Sequence, residues 1–327
     1  MDHRILGRTG RTVSAIGLGT WQLGADWGDV DPAAATAVLD ASVEAGVTFF
    51  DTADVYGDGR SESFIGDYLA GHPGHEITVA TKMGRRLPQV AENYTLDNFR
   101  AWTDRSRRNL RVETLDLVQL HCPPTSVIES DAVYDALDTL VAEGAIAAYG
   151  LSVEETAQAL AAIARPGVAS IQIILNAFRL KPLDEVLPAA MKAGVGIIAR
   201  VPLASGLLTG KYTRETTFAA DDHRTYNRSG EAFDVGETFS GVLFESGVEA
   251  AQRFADLVPE GATPAQSALA WIAQLEGVST VIPGARNVAQ AQSNAAAGEL
   301  PDLGDDFRAG VTRIYDEYFR ATVHPRW

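Results

Sequence analysis

Residues 115–121 read Leu-Asp-Leu-Val-Gln-Leu-His, a short apolar run that stops at a titratable side chain. A run of this length, bounded by polar residues, is typical of a buried β-strand. Seven further runs of the same kind occur along the chain. The predicted strands are Ala15–Gly17, Thr48–Asp51, Ile77–Thr81, Leu115–Leu120, Ala145–Leu151, Ser170–Leu175, Val195–Ala199 and Thr280–Ile282.

Amphipathic, alanine-rich segments between these runs predict helices. Pro32–Ala45 has Asp31 as its N-cap, Pro32 in its first turn and Gly46 just beyond its end, where a left-handed C-cap favours glycine. Alternation of eight strands with helices favours an α/β fold of the closed (β/α)8 TIM-barrel type over an open sheet, in one domain spanning residues 1–327. The other predicted helices are Leu96–Arg111, Asp131–Glu143, Glu154–Ile163 and Leu183–Lys192, and Gly144 and Gly194 also follow helices.

Two segments depart from the alternation. Arg4–Val13 precedes the first strand, and its turn residues predict a short N-terminal hairpin that caps the barrel floor. Tyr212–Ser246 follows the seventh strand and is too long for an ordinary connection. Long loops of this kind are uncommon and often functional, so we expect it to cover a bound ligand.

The composition narrows the class of protein. The chain has 327 residues, is 46% hydrophobic and carries a formal net charge of −16, which argues against nucleic acid or an anionic membrane as the main partner. Its one cysteine, Cys122, excludes an internal disulfide, and its six histidines lack metal-ligand spacing, so we expect no metal site. Without a signal-peptide pattern or a long apolar run, the expected location is the cytoplasm.

Four polar side chains follow consecutive predicted strands, where barrel enzymes place their chemistry. Asp51 ends the second run with Tyr56 five residues on, Lys82 follows the third run, and His121 follows the fourth. A nearby ammonium lowers the pKa of a tyrosine, ordinarily about 10, and Asp51 would keep Lys82 charged. His121 could then donate a hydrogen bond to a substrate carbonyl. The set suits protonation of an oxygen, and therefore carbonyl reduction if a hydride donor is present.

Each of these residues also has a purely structural interpretation. Asp51 could cap a loop, Tyr56 could be a packing residue, Lys82 a solvated strand end and His121 a satisfied core histidine. Their joint position at consecutive strand ends favours the functional interpretation.

Several motifs together resemble one known family, the aldo-keto reductases, over nearly the whole chain. They are Gly17-Leu18-Gly19-Thr20-Trp21, Asp51-Thr52-Ala53-Asp54-Val55-Tyr56-Gly57 with Ser61-Glu62 and Gly66, Ala80-Thr81-Lys82, residues 116–121, Pro202-Leu203-Ala204-Ser205-Gly206 through Tyr212, and Ile282-Pro283-Gly284-Ala285-Arg286 with Gln290 and Asn294. The resemblance implies that Tyr56 is the general acid in reduction and the base in oxidation. Lys82, Asp51 and His121 would take the roles described above, and Trp21, Tyr56 and His121 would contact the substrate.

The resemblance also implies an NADP(H) site. Ser152 and Gln172 would hold the nicotinamide carboxamide, and Arg286 would bind the 2′-phosphate, since guanidinium recognises phosphate well. The residues expected to bind the cofactor are Gly19, Thr20, Trp21, Asp51, Ser152, Gln172, Arg200, Pro202, Leu203, Ser205, Gly206, Lys211, Gly284, Arg286, Gln290 and Asn294.

Three positions depart from the family pattern. Val153 stands where many members have asparagine, Ser293 where a glutamate often contacts the adenine, and Arg200 where an aromatic residue often stacks on the nicotinamide. Arg200 could stack in its place or form an internal salt bridge. The expected pocket walls are Trp21, Trp27, Val55, Met83 and Pro123.

These features predict an oxidoreductase that acts on small aldehydes, ketones or sugars, or on the corresponding alcohols. One alternative is a cofactor-binding regulatory subunit with little turnover, like the channel-associated members of the family. Another is a lyase that uses Lys82 in a Schiff base, which a charged lysine paired with Asp51 disfavours.

Overall fold

A sheet of parallel strands forms the centre of the molecule, and the computed structural model describes it within residues 1–24 and 31–327. Strands β3 to β10 follow one another in this sheet in chain order. The strands are β1 His3–Ile5, β2 Thr12–Ser14, β3 Leu18–Gly19, β4 Phe49–Asp51, β5 Thr78–Met83, β6 Leu117–His121, β7 Tyr149–Ser152, β8 Val168–Ile174, β9 Gly196–Arg200 and β10 Val278–Val281.

The two edges of this sheet meet, which confirms the predicted TIM barrel. Parallel bridges join Ile16 to Val281 and Gly19 to Gly284. The predicted first strand, Ala15–Gly17, lies too early. Its residues bond to β10, with the Gly17 amide donating to the Val281 carbonyl at 2.8 Å, whereas Leu18 and Gly19 pair with β4. The predicted bounds are wrong because the apolar run changes partner strand near Gly17.

Helices alternate with the strands along the chain. Asp31 caps α2 as predicted, its carboxylate accepting from the Ala33 amide at 3.0 Å. Gly46, Gly144 and Gly194 all have positive φ after their helices. The helices are α1 Trp21–Gly24, α2 Pro32–Glu44, α3 Arg60–Gly71, α4 Leu96–Leu110, α5 Thr125–Ile128, α6 Asp131–Ala142, α7 Thr156–Ile163, α8 Val186–Ala193, α9 His223–Tyr226, α10 Phe244–Ala255, α11 Pro264–Ala273, α12 Val288–Ala296 and α13 Gly304–Tyr318.

The N-terminal hairpin closes the barrel floor. Strands β1 and β2 pair antiparallel, from His3 opposite Ser14 to Ile5 opposite Thr12. Gly7 has a φ of +47°, and a Cβ there would lie 2.0 Å from the Gly196 amide nitrogen, so the close approach requires glycine. The hairpin and the strands share an interior core that leaves the opposite end of the barrel for chemistry. That core comprises Leu6, Val13, Phe49, Ala80, Leu117, Ile198 and Ile282.

The loop after β9 reaches the end of the barrel where the strands terminate; that it covers a bound ligand stays a prediction. It contains α9 and short 3-10 turns at Val235–Glu237 and Phe239–Gly241 before α10 begins at Phe244. His223, Arg224 and Glu237 from this loop line the cavity at that end of the barrel. None of the described helices is long and apolar enough to cross a membrane.

Candidate active site

A buried ion pair lies at the inner end of that cavity. Asp51 ends β4 and Lys82 lies on the neighbouring strand β5, so the carboxyl ends of two adjacent parallel strands bring them together. The Lys82 ammonium donates to the Asp51 carboxylate and to the Thr52 carbonyl, the latter at 2.8 Å. Burial acts to lower the pKa of Lys82 and is the largest single effect, but the charges and hydrogen bonds of Asp51 and Tyr56 together outweigh it, so the pKa is raised overall. Lys82 is therefore charged at neutral pH, which makes it a poor Schiff-base nucleophile.

Tyr56 stands over this pair in the turn that follows β4. Its hydroxyl oxygen is 3.5 Å from Lys82 Nζ, and the nitrogen lies 5.1 Å from the centre of the tyrosine ring. Burial raises the pKa of Tyr56, the positive charge of Lys82 lowers it, and the negative charge of Asp51 raises it. Lys82 therefore acts on the pKa of Tyr56 in the predicted direction, but the effect of burial is larger.

His121 completes the set from the end of β6. Its ring is 6.0 Å from that of Tyr56, centre to centre, in an edge-on arrangement. Burial, followed by the positive charges of Arg85 and Lys82, holds the pKa of His121 well below its usual value, so the ring is neutral. Among the described residues, His121 Nδ1 finds no hydrogen-bond partner. A neutral imidazole offers one N–H donor and one acceptor, and this ring can direct a donor towards a ligand oxygen.

Two glutamines donate hydrogen bonds to Asp51. Its second oxygen accepts from Gln172 Nε2 at 2.7 Å and from Gln119 Nε2 at 3.2 Å. Gln119 was not predicted, although it precedes His121 by two residues on β6 and therefore faces the same way. Gln172 also accepts from Ser152 Oγ at 3.5 Å, so the two residues expected at the nicotinamide amide are neighbours.

The cavity has a volume of about 510 Å³ and opens at the carboxyl ends of the strands. It brings together every residue predicted for the cofactor site and, of the four predicted catalytic residues, Asp51, Tyr56 and His121; Lys82 lies buried behind them. Further lining residues, which sequence reasoning did not assign, are Gln22, Val201, Thr209, Tyr212, His223, Arg224, Glu237, Thr263 and Ala265.

The predicted pocket walls are confirmed only in part. Trp21 lines the cavity, and its ring packs 5.2 Å from His223. Met83 is wrong as a wall: it lies buried in the core outside the barrel, because side chains alternate along β5 and Lys82 takes the inward position. Val55 and Pro123 are not among the described lining residues, and Trp27 lies outside the described part of the chain.

A tight loop forms the middle of the cavity wall. Ser205 and Gly206 have φ values of 54° and 97° within the 3-10 turn Ala204–Thr209. A Cβ on Gly206 would lie 2.2 Å from the Tyr212 hydroxyl, so this close approach needs glycine. Ser205 Oγ donates to the Glu237 carbonyl at 3.1 Å and accepts from the Phe239 amide at 2.9 Å. The long loop is therefore bonded to a segment that is expected to bind the cofactor.

The far end of the cavity is basic. Arg286 follows β10, and its amide donates to Gln290 Oε1 at 2.8 Å. Burial, followed by the positive charge of Arg224, lowers the pKa of Arg286. Arg224 comes from α9 in the long loop and pairs with Asp222. Asn294 donates to the Gly284 carbonyl at 3.1 Å, which fixes the turn after β10.

Arg200 forms the internal salt bridge that the sequence left open. Its guanidinium contacts Glu154 at 2.8 Å and Glu237 at 2.5 Å, and donates to the Val153 carbonyl at 3.0 Å. Burial opposes its charge, but the two carboxylates raise the pKa of Arg200 well above its usual value. Arg200 still lines the cavity, within a buried ion-pair cluster rather than as an isolated cation.

One group of potential metal ligands adjoins this cluster. Cys122, Glu154 and Glu237 have ligand atoms within 4.8 Å of one another. Both carboxylates already contact Arg200, and burial raises the pKa of the Cys122 thiol to about 12. Because metals bind the thiolate, this donor set is poorly suited to a cation.

Comparison with known proteins places the chain in a family. Residues 15–316 match the family model described as the aldo/keto reductase family. The chain belongs to the aldo-keto reductase family. An uncharacterized oxidoreductase of Mycobacterium tuberculosis is 35% identical to this aldo-keto reductase over 317 residues, covering 92% of this chain and 88% of the relative.

Solved structures of aldo-keto reductases share the fold. The glycerol dehydrogenase of Gluconobacter oxydans is 30% identical, with a TM-score of 0.79 over 97% of this chain and 95% of that chain. An aldo-keto reductase of Klebsiella pneumoniae, solved in complex with NADPH, is 24% identical, with a TM-score of 0.72 over 96% of each chain.

Proposed function

We propose that this aldo-keto reductase uses NADPH to reduce aldehyde, ketone or sugar carbonyls, reversibly, with Tyr56 as general acid. The observation that carries the proposal is the position of the Tyr56 hydroxyl, 3.5 Å from the buried ammonium of Lys82 at the inner end of the cavity. Membership of an oxidoreductase family supports the reaction class.

The cavity suits a dinucleotide phosphate. Its volume of about 510 Å³ falls within the range of small-molecule sites. Gln172 and Ser152, which carry an amide and a hydroxyl group, line the same cavity as Lys211 and Arg286. One cleft is thus lined by polar groups that suit an amide and by a lysine and an arginine that suit phosphates. When bound, NADPH supplies the hydride, and the protein orients and polarises the substrate.

The residues of this chain provide the proton chemistry. Neutral His121 donates a hydrogen bond to the carbonyl oxygen and fixes its position. Tyr56 passes its proton to the same oxygen as negative charge develops there, and the fixed charge of Lys82 stabilises the phenolate left behind. Asp51 keeps Lys82 protonated and in place. In the oxidative direction the phenolate takes the proton back.

Turnover separates this proposal from a regulatory subunit. The purified protein, incubated with NADPH and a panel of small aldehydes, ketones and aldoses, should consume the reduced nicotinamide. Incubation with NADP⁺ and polyols, glycerol included, tests the reverse direction. NADPH binding without turnover on either panel would favour the regulatory alternative, and an absence of NADPH binding would reject both.

Arg286→Ala is expected to raise the Kd for NADPH about 10- to 100-fold, the loss that fits one charged hydrogen bond to phosphate. The Kd for NADH should change little, because NADH lacks the 2′-phosphate. Titration of intrinsic fluorescence with each nucleotide measures both constants.

Arg214→Ala is the matched control for Arg286→Ala. Arg214 is an exposed arginine that pairs with Glu249 and is not among the cavity residues, so its loss should leave both affinities unchanged. Equal weakening of NADPH and NADH by Arg286→Ala would remove the argument for a 2′-phosphate contact.

A further inference from the structure

Trp327 is buried although it lies outside the cavity, and it joins two distant parts of the chain. Its side chain follows the short 3-10 turn His324–Arg326 and is only 6% exposed. The indole nitrogen donates to the Asp234 carboxylate at 3.1 Å, and Thr156 Oγ donates to the Trp327 carbonyl at 3.3 Å. Asp234 belongs to the long loop and Thr156 to α7, so Trp327 bridges the loop to the barrel wall.

The indole ring lies directly on the backbone of the loop. A Cβ on Gly241 would come within 2.2 Å of the ring, and one on Gly236 within 3.1 Å. Arg179 covers the ring with its guanidinium 3.9 Å from the ring centre, and Arg326 donates to the Gly241 carbonyl at 3.0 Å. The loop segment 234–241 is thus held against Trp327 by close packing as well as by hydrogen bonds.

The same segment contacts the lining of the cavity. The Glu237 carboxylate pairs with Arg200, and the Glu237 carbonyl accepts from Ser205 Oγ. Ser205 Oγ in turn accepts from the Phe239 amide. Any displacement of segment 234–241 would therefore move Ser205 and release one of the two carboxylates that hold Arg200.

The backbone of this segment needs outside support. Phe239 and Ser240 have φ values of 53° and 61°, in the left-handed region that non-glycine residues seldom adopt. Asn176 donates to Ser240 Oγ at 2.7 Å from the barrel side, and Trp327 packs against the neighbouring Gly241. Such a conformation persists only where surrounding contacts fix it.

We propose that Trp327 is a positioning residue for the cofactor cleft. It fixes loop segment 234–241, which in turn places Ser205 at the middle of the cleft and Glu237 on Arg200. The effect on nucleotide binding rests on the NADP(H) function proposed above, whereas the effect on the loop does not.

Three variants test the role of Trp327. Trp327→Ala removes the ring, and Trp327→Phe keeps a ring but loses the bond to Asp234. Trp102→Phe makes the same substitution at another buried tryptophan, on α4, which packs against α3 and α6 away from the loop. A general loss of core packing would affect Trp327→Phe and Trp102→Phe alike. A positioning role would alter the loop in the two Trp327 variants and leave it unchanged in Trp102→Phe.

Backbone hydrogen exchange without ligand measures the loop directly. In Trp327→Ala, amides of residues 236–241 should exchange at least about tenfold faster than in the wild type, as expected when a locally ordered unit opens more often. Trp327→Phe should show a smaller increase, and Trp102→Phe none in this segment. Unchanged exchange in residues 236–241 of folded Trp327→Ala would overturn the proposal. If that variant does not fold, unchanged exchange in Trp327→Phe has the same force.

Stopped-flow dissociation of NADPH measures the consequence for the cleft. The dissociation rate and the KM for NADPH should rise about tenfold in Trp327→Ala, since altered contacts act mostly on dissociation, and kcat should not fall. Equal dissociation rates in wild type and in Trp327→Ala, with NADPH bound by both, would overturn the link to the cleft. A wild-type protein that binds no NADPH would instead reject the proposed function, and hydrogen exchange would still decide the role of Trp327 in the loop.

Discussion

Tyr56→Phe is expected to lower the kcat for carbonyl reduction about 10²- to 10⁴-fold, the range that a positioned general acid contributes. The substitution removes one hydroxyl group and leaves the ring that packs near Trp21 and His121. The affinity for NADPH should stay close to that of the wild type, because the proposed nucleotide contacts lie along the rest of the cleft. Loss of rate with intact binding is the signature of a missing proton donor.

No other group in the described site can readily replace that proton. His121 is near Tyr56, but burial and the charges of Arg85 and Lys82 keep its pKa well below the usual value. A neutral histidine at physiological pH can position the carbonyl, yet it has no readily released proton to give. Lys82 already donates to Asp51 and Thr52, and the charge of Asp51 favours its protonated form.

Tyr134→Phe provides the matched control for Tyr56→Phe. The Tyr134 hydroxyl donates to the Ile128 carbonyl at 2.8 Å, and the residue lies on α6 rather than among the cavity residues. Steady-state rates at saturating NADPH, together with the Kd for NADPH, should separate the two variants. If Tyr56→Phe retained most of its activity, or Tyr134→Phe lost as much, Tyr56 would not be the acid.

The arrangement of the candidate site can be predicted from the sequence because it follows from the positions of strand ends. Asp51, Lys82 and His121 each lie at or near the carboxyl end of a strand, and parallel barrel strands bring those ends to one rim. The same regularity explains the errors. The prediction of Met83 as a pocket wall is wrong because Met83 alternates with Lys82 along β5 and faces the outer core. Gln119 has the same parity as His121 on β6 and therefore faces the barrel interior, where it bonds to Asp51.

Contacts made by the long loop were not accessible in the same way. The sequence allows a salt bridge at Arg200, but it does not identify Glu237 as the second carboxylate, because Glu237 comes from a loop without periodicity. Trp327 likewise contacts Asp234 across 93 positions of sequence, and no local pattern encodes that pairing. Side chains that meet through irregular backbone depend on the path of the whole loop. The single domain and the cytoplasmic location stay predictions.

Asp54→Asn is expected to have the second large effect, a gain in the free energy of unfolding that depends on pH. The Asp54 side chain is fully buried, and neither carboxylate oxygen has a hydrogen-bond partner among the described residues. Glu62, also fully buried, accepts from Thr81 at 2.6 Å and from Asn109 at 2.8 Å. Arg105 donates to the backbone carbonyl of Asp54 at 3.1 Å instead of to its carboxylate. A buried carboxyl group without partners favours its protonated form.

The direction of the pH effect follows from the pKa of Asp54. Burial, followed by the negative charge of Glu62, raises this pKa from 3.8 to about 7, although Arg86, Arg105 and Lys82 oppose the shift. Between these values the folded protein holds a proton that the unfolded chain has released. The free energy of unfolding therefore falls as the pH rises through this window, by about 4 kcal/mol in total at about 1.4 kcal/mol per pH unit.

Asp54→Asn should remove this pH dependence, because the amide has a similar shape and does not ionise. We expect the variant to exceed the wild type in free energy of unfolding by about 4 kcal/mol at about pH 8, with an advantage that shrinks as the pH falls towards about 4. Urea unfolding of both proteins across this pH range measures the difference. An advantage that is independent of pH would contradict a titrating Asp54.

Asp58→Asn is the control of opposite sign. Asp58 is exposed, and its hydrogen bond to Arg86, together with the charge of Arg105, lowers its pKa. Its contribution to stability is present above its ordinary pKa and is lost as the pH falls, so Asp58→Asn should lose stability at neutral pH instead of gaining it. If Asp54→Asn instead lost stability at neutral pH like Asp58→Asn, the Asp54 carboxylate would be ionised. The positive charges of Arg86 and Arg105 would then have a larger effect on the pKa of Asp54 than burial has.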